Sequence, residues 1–208
     1  GRLCLFMTGF KPDVEYLVRC AAGYVSGHEH LYGGESPSAQ MVVRDTLSPC
    51  LRDATMSGGS RPFGVQGLVV GHARSSQGSP VKMQIITLDP SGNWRYWQHG
   101  GVAIGKDANI VKKHLRQALE TKENDGGCLT WSDALDVAMK SLLESMEESQ
   151  NMNETPRMEI LSEIDALVIC GKGVKHRHPC AFVSRSAISK SFLKCLETIG
   201  GNSKSNTK

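Results

Sequence analysis

The segment Gly100-Gly101-Val102-Ala103-Ile104-Gly105-Lys106-Asp107 comes closest to a chemical motif. Its Gly-x4-Gly-Lys spacing is that of a phosphate-binding loop, where backbone N–H groups and a lysine cradle a polyphosphate. The next residue should be Ser or Thr, whose hydroxyl holds magnesium. Asp107 stands there instead, an anion where phosphate would sit. The segment therefore reads as a strand-to-helix turn with Asp107 as N-cap, and no nucleotide cofactor is expected.

Metal and nucleophile chemistry find equally little support. Lys175-His176-Arg177-His178-Pro179-Cys180 offers two His and one Cys, but no second cluster completes a tetrahedral zinc site. His28-Glu29-His30 places its two His at i and i+2, which a helix directs to different faces. A solvated basic loop and a helix surface are the readings, with no metal. The pentapeptide Gly-x-Ser-x-Gly of serine hydrolases does not occur. Ser75-Ser76-Gln77-Gly78 reads as a hairpin loop. A Cys–His pair can meet only in the fold, and nothing singles out one of the seven cysteines. Glu144, Glu147 and Glu148 form a charged helix end without a defined task. No catalytic residue is assigned.

Composition narrows the class further. A formal charge of +3, with scattered Lys and Arg, gives no basic stripe for nucleic acid. No apolar run reaches the ~18–20 residues that a membrane helix needs. Gly1 to Met7 lacks the apolar core and cleavage site of a signal peptide. The odd number of cysteines, irregularly spaced without a Cys-x-x-Cys pair, reads as reduced thiols in a reducing compartment.

The elements that would position these residues follow from periodicity and breakers. Arg2 to Thr8 reads as a strand closed by Gly9. Pro12-Asp13 opens a helix with Val14, Leu17, Val18, Ala21 and Val25 on one face, stopped at Gly33-Gly34. Ser36-Pro37 reads as the N-cap and first position of a second helix. That helix carries Met41, Val42, Leu47, Leu51 and Ala54, and Pro49 predicts a kink or break. Strands are expected over Val65 to Gly71, Val81 to Leu88 and Asn93 to Gln98, with a short one at Val102 to Ile104. Gln77 to Pro80 and Asp89-Pro90-Ser91-Gly92 are turns, the second with the residues a type I turn favours.

Two more helices follow. Asp107 to Thr121 carries Ala108, Val111, Leu115 and Ala118. The next opens at Thr130-Trp131-Ser132-Asp133, resembling a capping box, with Trp131, Leu135, Ala138, Leu142 and Met146 as its apolar stripe. Glu147 to Pro156 reads as a polar loop. A strand lies within Met158 to Cys170. Ser184 caps a final helix faced by Ile188, Phe192, Cys195 or Leu196, and Ile199. One domain over 1–199 and a disordered tail over 200–208 are expected. Paired helices between groups of strands indicate an α+β fold of stacked sheets with helices outside.

Three motifs acquire a shared meaning from their order. Arg61-Pro62-Phe63-Gly64-Val65, preceded by Ser57-Gly58-Gly59-Ser60, then Asp89-Pro90-Ser91-Gly92, then Ala103-Ile104-Gly105-Lys106, resemble the successive strand boundaries of proteasome α-type subunits. Met7-Thr8-Gly9 with Pro12-Asp13 and Leu17-Val18 is similar to the start of that family's first long helix. Glu35-Ser36-Pro37-Ser38-Ala39-Gln40 is similar to the start of its second. Leu129 to Met146 looks like the helix that follows. The likeness runs from about Arg2 to Met146 and more faintly to Ile199. Ser57-Gly58-Gly59, Glu35 with Ala39-Gln40, and Trp97 favour the α2 type.

The resemblance implies a four-layer α-β-β-α sandwich of the Ntn-hydrolase kind. It implies a non-catalytic place in the outer seven-membered ring of the 20S core particle, serving ring assembly, substrate access and ubiquitin-dependent protein degradation. The partners implied are neighbouring α subunits, the β ring and regulatory particles, in cytoplasm and nucleus. The helices Pro12 to Tyr32 and Pro37 to Met56 would face the β ring. The catalytic β-type relatives use an N-terminal Thr, whereas this chain has Gly1 there and Thr8 within the first strand. The chain starts inside an element and without Met, so it is expected to lack the family's N-terminal portion, leaving an exposed sheet edge. Two other readings follow from the same residues: a truncated, non-assembling fragment, and an active Ntn-type hydrolase.

Overall fold

A computed structural model describes residues 3–57, 61–72, 83–97, 100–124, 130–149, 164–169 and 180–203. These fall into two compact units, one within residues 1–99 and the other beginning at residue 100. The chain is α+β, as expected. The loop and turn read over Ser75 to Pro80, residues 150–156 of the expected polar loop, and the basic segment from Lys175 to Pro179 lie outside the described residues.

In the first unit, strand β1 (Leu3–Gly9) leads into helix α1 (Lys11–Leu31). A second helical stretch comprises α2 (Ala39–Val42), a π turn (Val43–Leu47) and α3 (Ser48–Met56). Strands β2 (Val65–His72), β3 (Met83–Leu88) and β4 (Trp94–Trp97) complete it. The sheet order is β1-β2-β3-β4 with every neighbour antiparallel. Side chains alternate across a sheet. Leu5 pairs with Val69 and Val69 with Ile86, so one face of all three strands is apolar. The helices cover that face. Leu17, Ala21, Val42, Val43, Leu47 and Leu51 form one core with Val65, Val69, Ile86 and Leu88.

Two details of this layer differ from the sequence reading. The second helix begins at Ala39, and Ser38 caps it by accepting the Met41 N–H at 3.2 Å. Ser36 is not the cap because its hydroxyl donates to the Glu29 carboxylate of α1. Val18 does not join the core stripe: it is 42% exposed, while Leu17 and Ala21 are buried. The break expected at Pro49 takes a definite form. The Ser48 N–H donates to the Val43 carbonyl, five residues back, and Pro49 has no N–H to offer the preceding turn. The α pattern therefore widens to a π turn before resuming.

In the second unit, helices α4 (Ala108–Asn124) and α5 (Trp131–Ser149) precede a hairpin of β5 (Leu167–Ile169) and β6 (Cys180–Phe182), then helix α6 (Arg185–Ser203). β5 and β6 pair antiparallel, Val168 opposite Ala181. β6 has no counterpart in the sequence reading; three residues beside a basic segment carry too little pattern to announce a strand. Val102 to Ile104 is not a strand. Ala103 instead packs on Val111, Leu115 and Val137. The α5 helix continues through Ser149, past the expected loop boundary at Glu147, and α6 continues to Ser203, past Ile199. Two glycines cost a helix only about 1 kcal/mol each, which does not stop α6 at Gly200.

The apolar stripe of α5 is also corrected. The buried apolar residues are Val137, Met139 and Leu143, while Trp131 is 53% and Leu142 41% exposed. Val137 packs toward α4, and Met139 and Leu143 join Ile188, Phe192 and Cys195 of α6. A helix clamped from two sides buries more than one stripe, which a single-face period does not reveal.

Candidate functional site

The motif Arg61-Pro62-Phe63-Gly64 closes on the start of α1. Pro12 sits in the first helical turn and Asp13 follows it. The Asp13 carboxylate accepts two bonds from the Arg61 guanidinium, at 2.8 and 2.7 Å, and one from the Gly64 N–H at 3.0 Å. The hydrogen bonds from Arg61 outweigh the opposing effect of burial and hold the Asp13 carboxyl below its ordinary value. The backbone is stitched in the same place, with Phe10 N–H donating to Gly64 C=O at 2.8 Å. Arg61 also lies over the Phe10 ring, 5.1 Å from its centre. Gly9, at φ +134°, comes so close to this segment that a Cβ there would lie 2.0 Å from the Gly64 oxygen.

The second motif docks the β3–β4 turn onto α3. Asp89 accepts from the Ser91 and Asn93 N–H groups at 2.8 and 3.1 Å, fixing the turn. The buried Ser48 hydroxyl donates to the Gly92 carbonyl at 2.6 Å. Gly92 has φ +83°, and a Cβ there would lie 2.6 Å from the Ser48 carbonyl oxygen.

The third motif leads into α4. Asp107 occupies the residue before α4, with φ +57°, and its carbonyl accepts from the Ile110 and Val111 N–H groups. Lys106 and Asp107 help line a groove of about 420 Å³. Its walls include Ile104, Leu115, Ala138, Leu142 and Met146. Three residues of the stripe read on α5, Ala138, Leu142 and Met146, thus line this open groove.

The other chemical candidates resolve into structural roles. His28 is buried and hydrogen-bonds the Glu35 carbonyl at 2.9 Å, its ring packed against Tyr32, whereas His30 is exposed. Glu144 pairs with His114 at 3.0 Å and lies 3.7 Å from Lys140. In the second unit, Asp136 accepts from Lys194 and Ser191. Burial pushes its carboxyl up, but those bonds prevail and its pKa is lowered. Among the described residues, no group of three or more His, Cys, Asp or Glu is placed to hold a metal ion. Among them, too, no helix is long and apolar enough to cross a membrane.

Several large apolar side chains stay uncovered in the first unit. Phe10, Tyr16, Val18, Leu31, Tyr32 and Met56 are exposed on or beside α1 and α3, with Leu31 at 77% and Met56 at 78%. Periodicity placed Val18 on the apolar face of α1 but could not say whether that face is covered, because it ranks residues by face and not by what lies above them. Such a surface is suited to association.

The first unit is thus a helix layer on an antiparallel sheet, with its motif residues engaged in a clamp and a turn. The family described as Proteasome subunit matches residues 1–161. The probable proteasome subunit alpha type-2 of Neurospora crassa is 33% identical over 145 residues, 69% of this chain and 52% of the relative. The proteasome subunit alpha type-2 of Caenorhabditis elegans is 31% identical over 154 residues, 72% and 58% respectively. That of Saccharomyces cerevisiae is 32% identical over 145 residues, 69% and 52%. The chain belongs to the proteasome subunit family, and the three relatives named above are of the alpha type-2 kind. It spans about half the length of the relatives it matches.

Proposed function

We propose that this chain is a non-catalytic structural subunit of the α ring of the 20S proteasome core. Its work there is ring assembly, substrate access and ubiquitin-dependent protein degradation, in cytoplasm and nucleus. Its helix pair and four-stranded sheet are read as one helix layer and one sheet of a four-layer α-β-β-α sandwich. The partners are neighbouring α subunits, β-ring subunits and regulatory particles.

The observation that carries the reading is the conjunction of α-type kinship with two helices that cover a sheet and still leave Val18, Leu31 and Met56 bare. Exposed apolar side chains on a helix pair are suited to burial against another subunit. Co-expression with the other α and β subunits, followed by affinity capture of the chain and native mass spectrometry, tests it. The expected result is a complex containing both α and β partners. Recovery of the chain only as free or aggregated material would favour the non-assembling reading. Covalent labelling of the chain by a threonine-directed electrophile would refute the non-catalytic one.

A further inference from the structure

The groove of about 420 Å³ in the second unit joins an apolar wall to three polar side chains. Ile104, Leu115, Leu142 and Met146 supply much of the wall. Lys106 and Asp107 line the same groove. Among the described residues, the Lys106 ammonium and the Asp107 carboxylate make no hydrogen bond or ion pair, with each other or with any other group. Ser145 is the third polar group. It is only 5% exposed and lines the groove, yet among the described residues its hydroxyl has no hydrogen-bond partner. A hydroxyl buried to that degree ordinarily finds one. Ser141, one turn back on α5, donates to the Val137 carbonyl at 2.8 Å. An apolar recess of this size with a few polar groups is the usual form of a small-ligand site.

The lining selects the ligand. A purely apolar molecule would cover these polar groups and return no hydrogen bond, which is unfavourable. An amphipathic anion would be repelled by Asp107, and an amphipathic cation by Lys106. A zwitterion answers both charges with the opposite sign. The two protein charges do not pair with each other, so their counterparts must stand apart. Each added residue lengthens a peptide by about 3.3–3.6 Å, which carries its ammonium and carboxylate further apart than in a free amino acid. The peptide amide also offers the Ser145 hydroxyl a partner. We propose that this groove binds short apolar peptides with free termini, dipeptides above all. The carboxylate faces Lys106, the ammonium faces Asp107, and the side chains lie against Leu115, Leu142 and Met146. Hydrolysis of peptide bonds is the class of reaction that supplies such ligands.

This inference goes beyond the assembly reading and does not depend on it. L-leucyl-L-leucine is titrated into the 208-residue chain carrying isotope labels on its leucine and methionine methyl groups, and the shifts are followed by NMR. The expected result is saturable movement of the Leu115, Leu142 and Met146 signals. N-acetyl-leucyl-leucinamide, which lacks both terminal charges, should produce none over the same range. Lys106→Gln and Asp107→Asn should each weaken binding by roughly two- to fivefold, the effect of one solvent-screened charge pair. Ala138→Trp, at an exposed position on the groove wall, should fill the groove and abolish the shifts while the melting curve stays that of the parent. The comparison of the two peptides on the unsubstituted chain keeps the test valid if a variant folds poorly. Equal binding of the capped peptide, shifts confined to Leu31 or Met56 of the first unit, or no saturable shift at all would overturn the proposal.

Discussion

Arg61 and Asp13 lie 48 positions apart in sequence, yet two guanidinium nitrogens hold one carboxylate at 2.7 and 2.8 Å. The pair fastens the first turn of α1 to the residues that lead into β2. Because the folded carboxyl is held below its usual 3.8, the sign of its pH dependence is fixed. Its contribution is full above the unfolded value and is lost as pH falls through the folded one. Urea unfolding between pH 7 and pH 3 should show an acid-side loss of stability that is reduced in Asp13→Asn and in Arg61→Ala. Identical acid limbs in all three proteins would remove the clamp as a source of stability.

Ser48 and Gly92 make the corresponding contact on the other side of the helix layer. Ser48→Ala leaves a buried carbonyl without its donor, and the expected cost is about 1–3 kcal/mol. Gly92→Ala forces a side chain into a positive φ and against the Ser48 carbonyl, at a comparable cost of about 1–3 kcal/mol for the backbone alone. The two residues touch, so their effects should not add. A double variant as unstable as the sum of the singles would show that the turn and the helix are not coupled there.

Much of the first unit was legible because its elements are simply patterned. The alternation of Val65, Val69, Ile86 and Leu88 announces a half-buried sheet, and Leu17 and Ala21 announce the helix that covers it. The clamp itself was visible only as two separate motifs, since local spacing says nothing about which distant residues meet. The α5 face was misread because Val137 and Met139 turn toward different helices, so burial there has no single helical period. The hairpin of β5 and β6 was half missed for lack of length. The π turn was foreshadowed by Pro49, but its width depends on which carbonyl the Ser48 N–H finds, a tertiary choice.

The core of each unit should answer to its own substitutions. Leu17 and Phe192 are both fully buried, one under the first sheet and one between α5 and α6. Leu17→Ala should cost about 2–5 kcal/mol and Phe192→Ala about 3–5 kcal/mol. Hydrogen exchange should place the first loss of protection in the unit that carries each substitution. Uniform loss across both units from either variant would contradict their independence as cores.

Val18 and Met56 offer the sharpest separation of folding from association. They are 42% and 78% exposed, so a charge at either site removes little from the core. Val18→Asp and Met56→Asp should each change the unfolding free energy by no more than about 0.5 kcal/mol. If these residues are covered when the chain takes its place beside other subunits, the same charge must be desolvated without a partner, which is strongly unfavourable. Native gels of co-expressed subunits should then show the variants excluded from the assembly, while their melting curves overlay that of the parent chain. Variants that assemble as well as the parent would move the interface away from this helix pair. Variants that fail to fold would show instead that the exposed residues belong to the core.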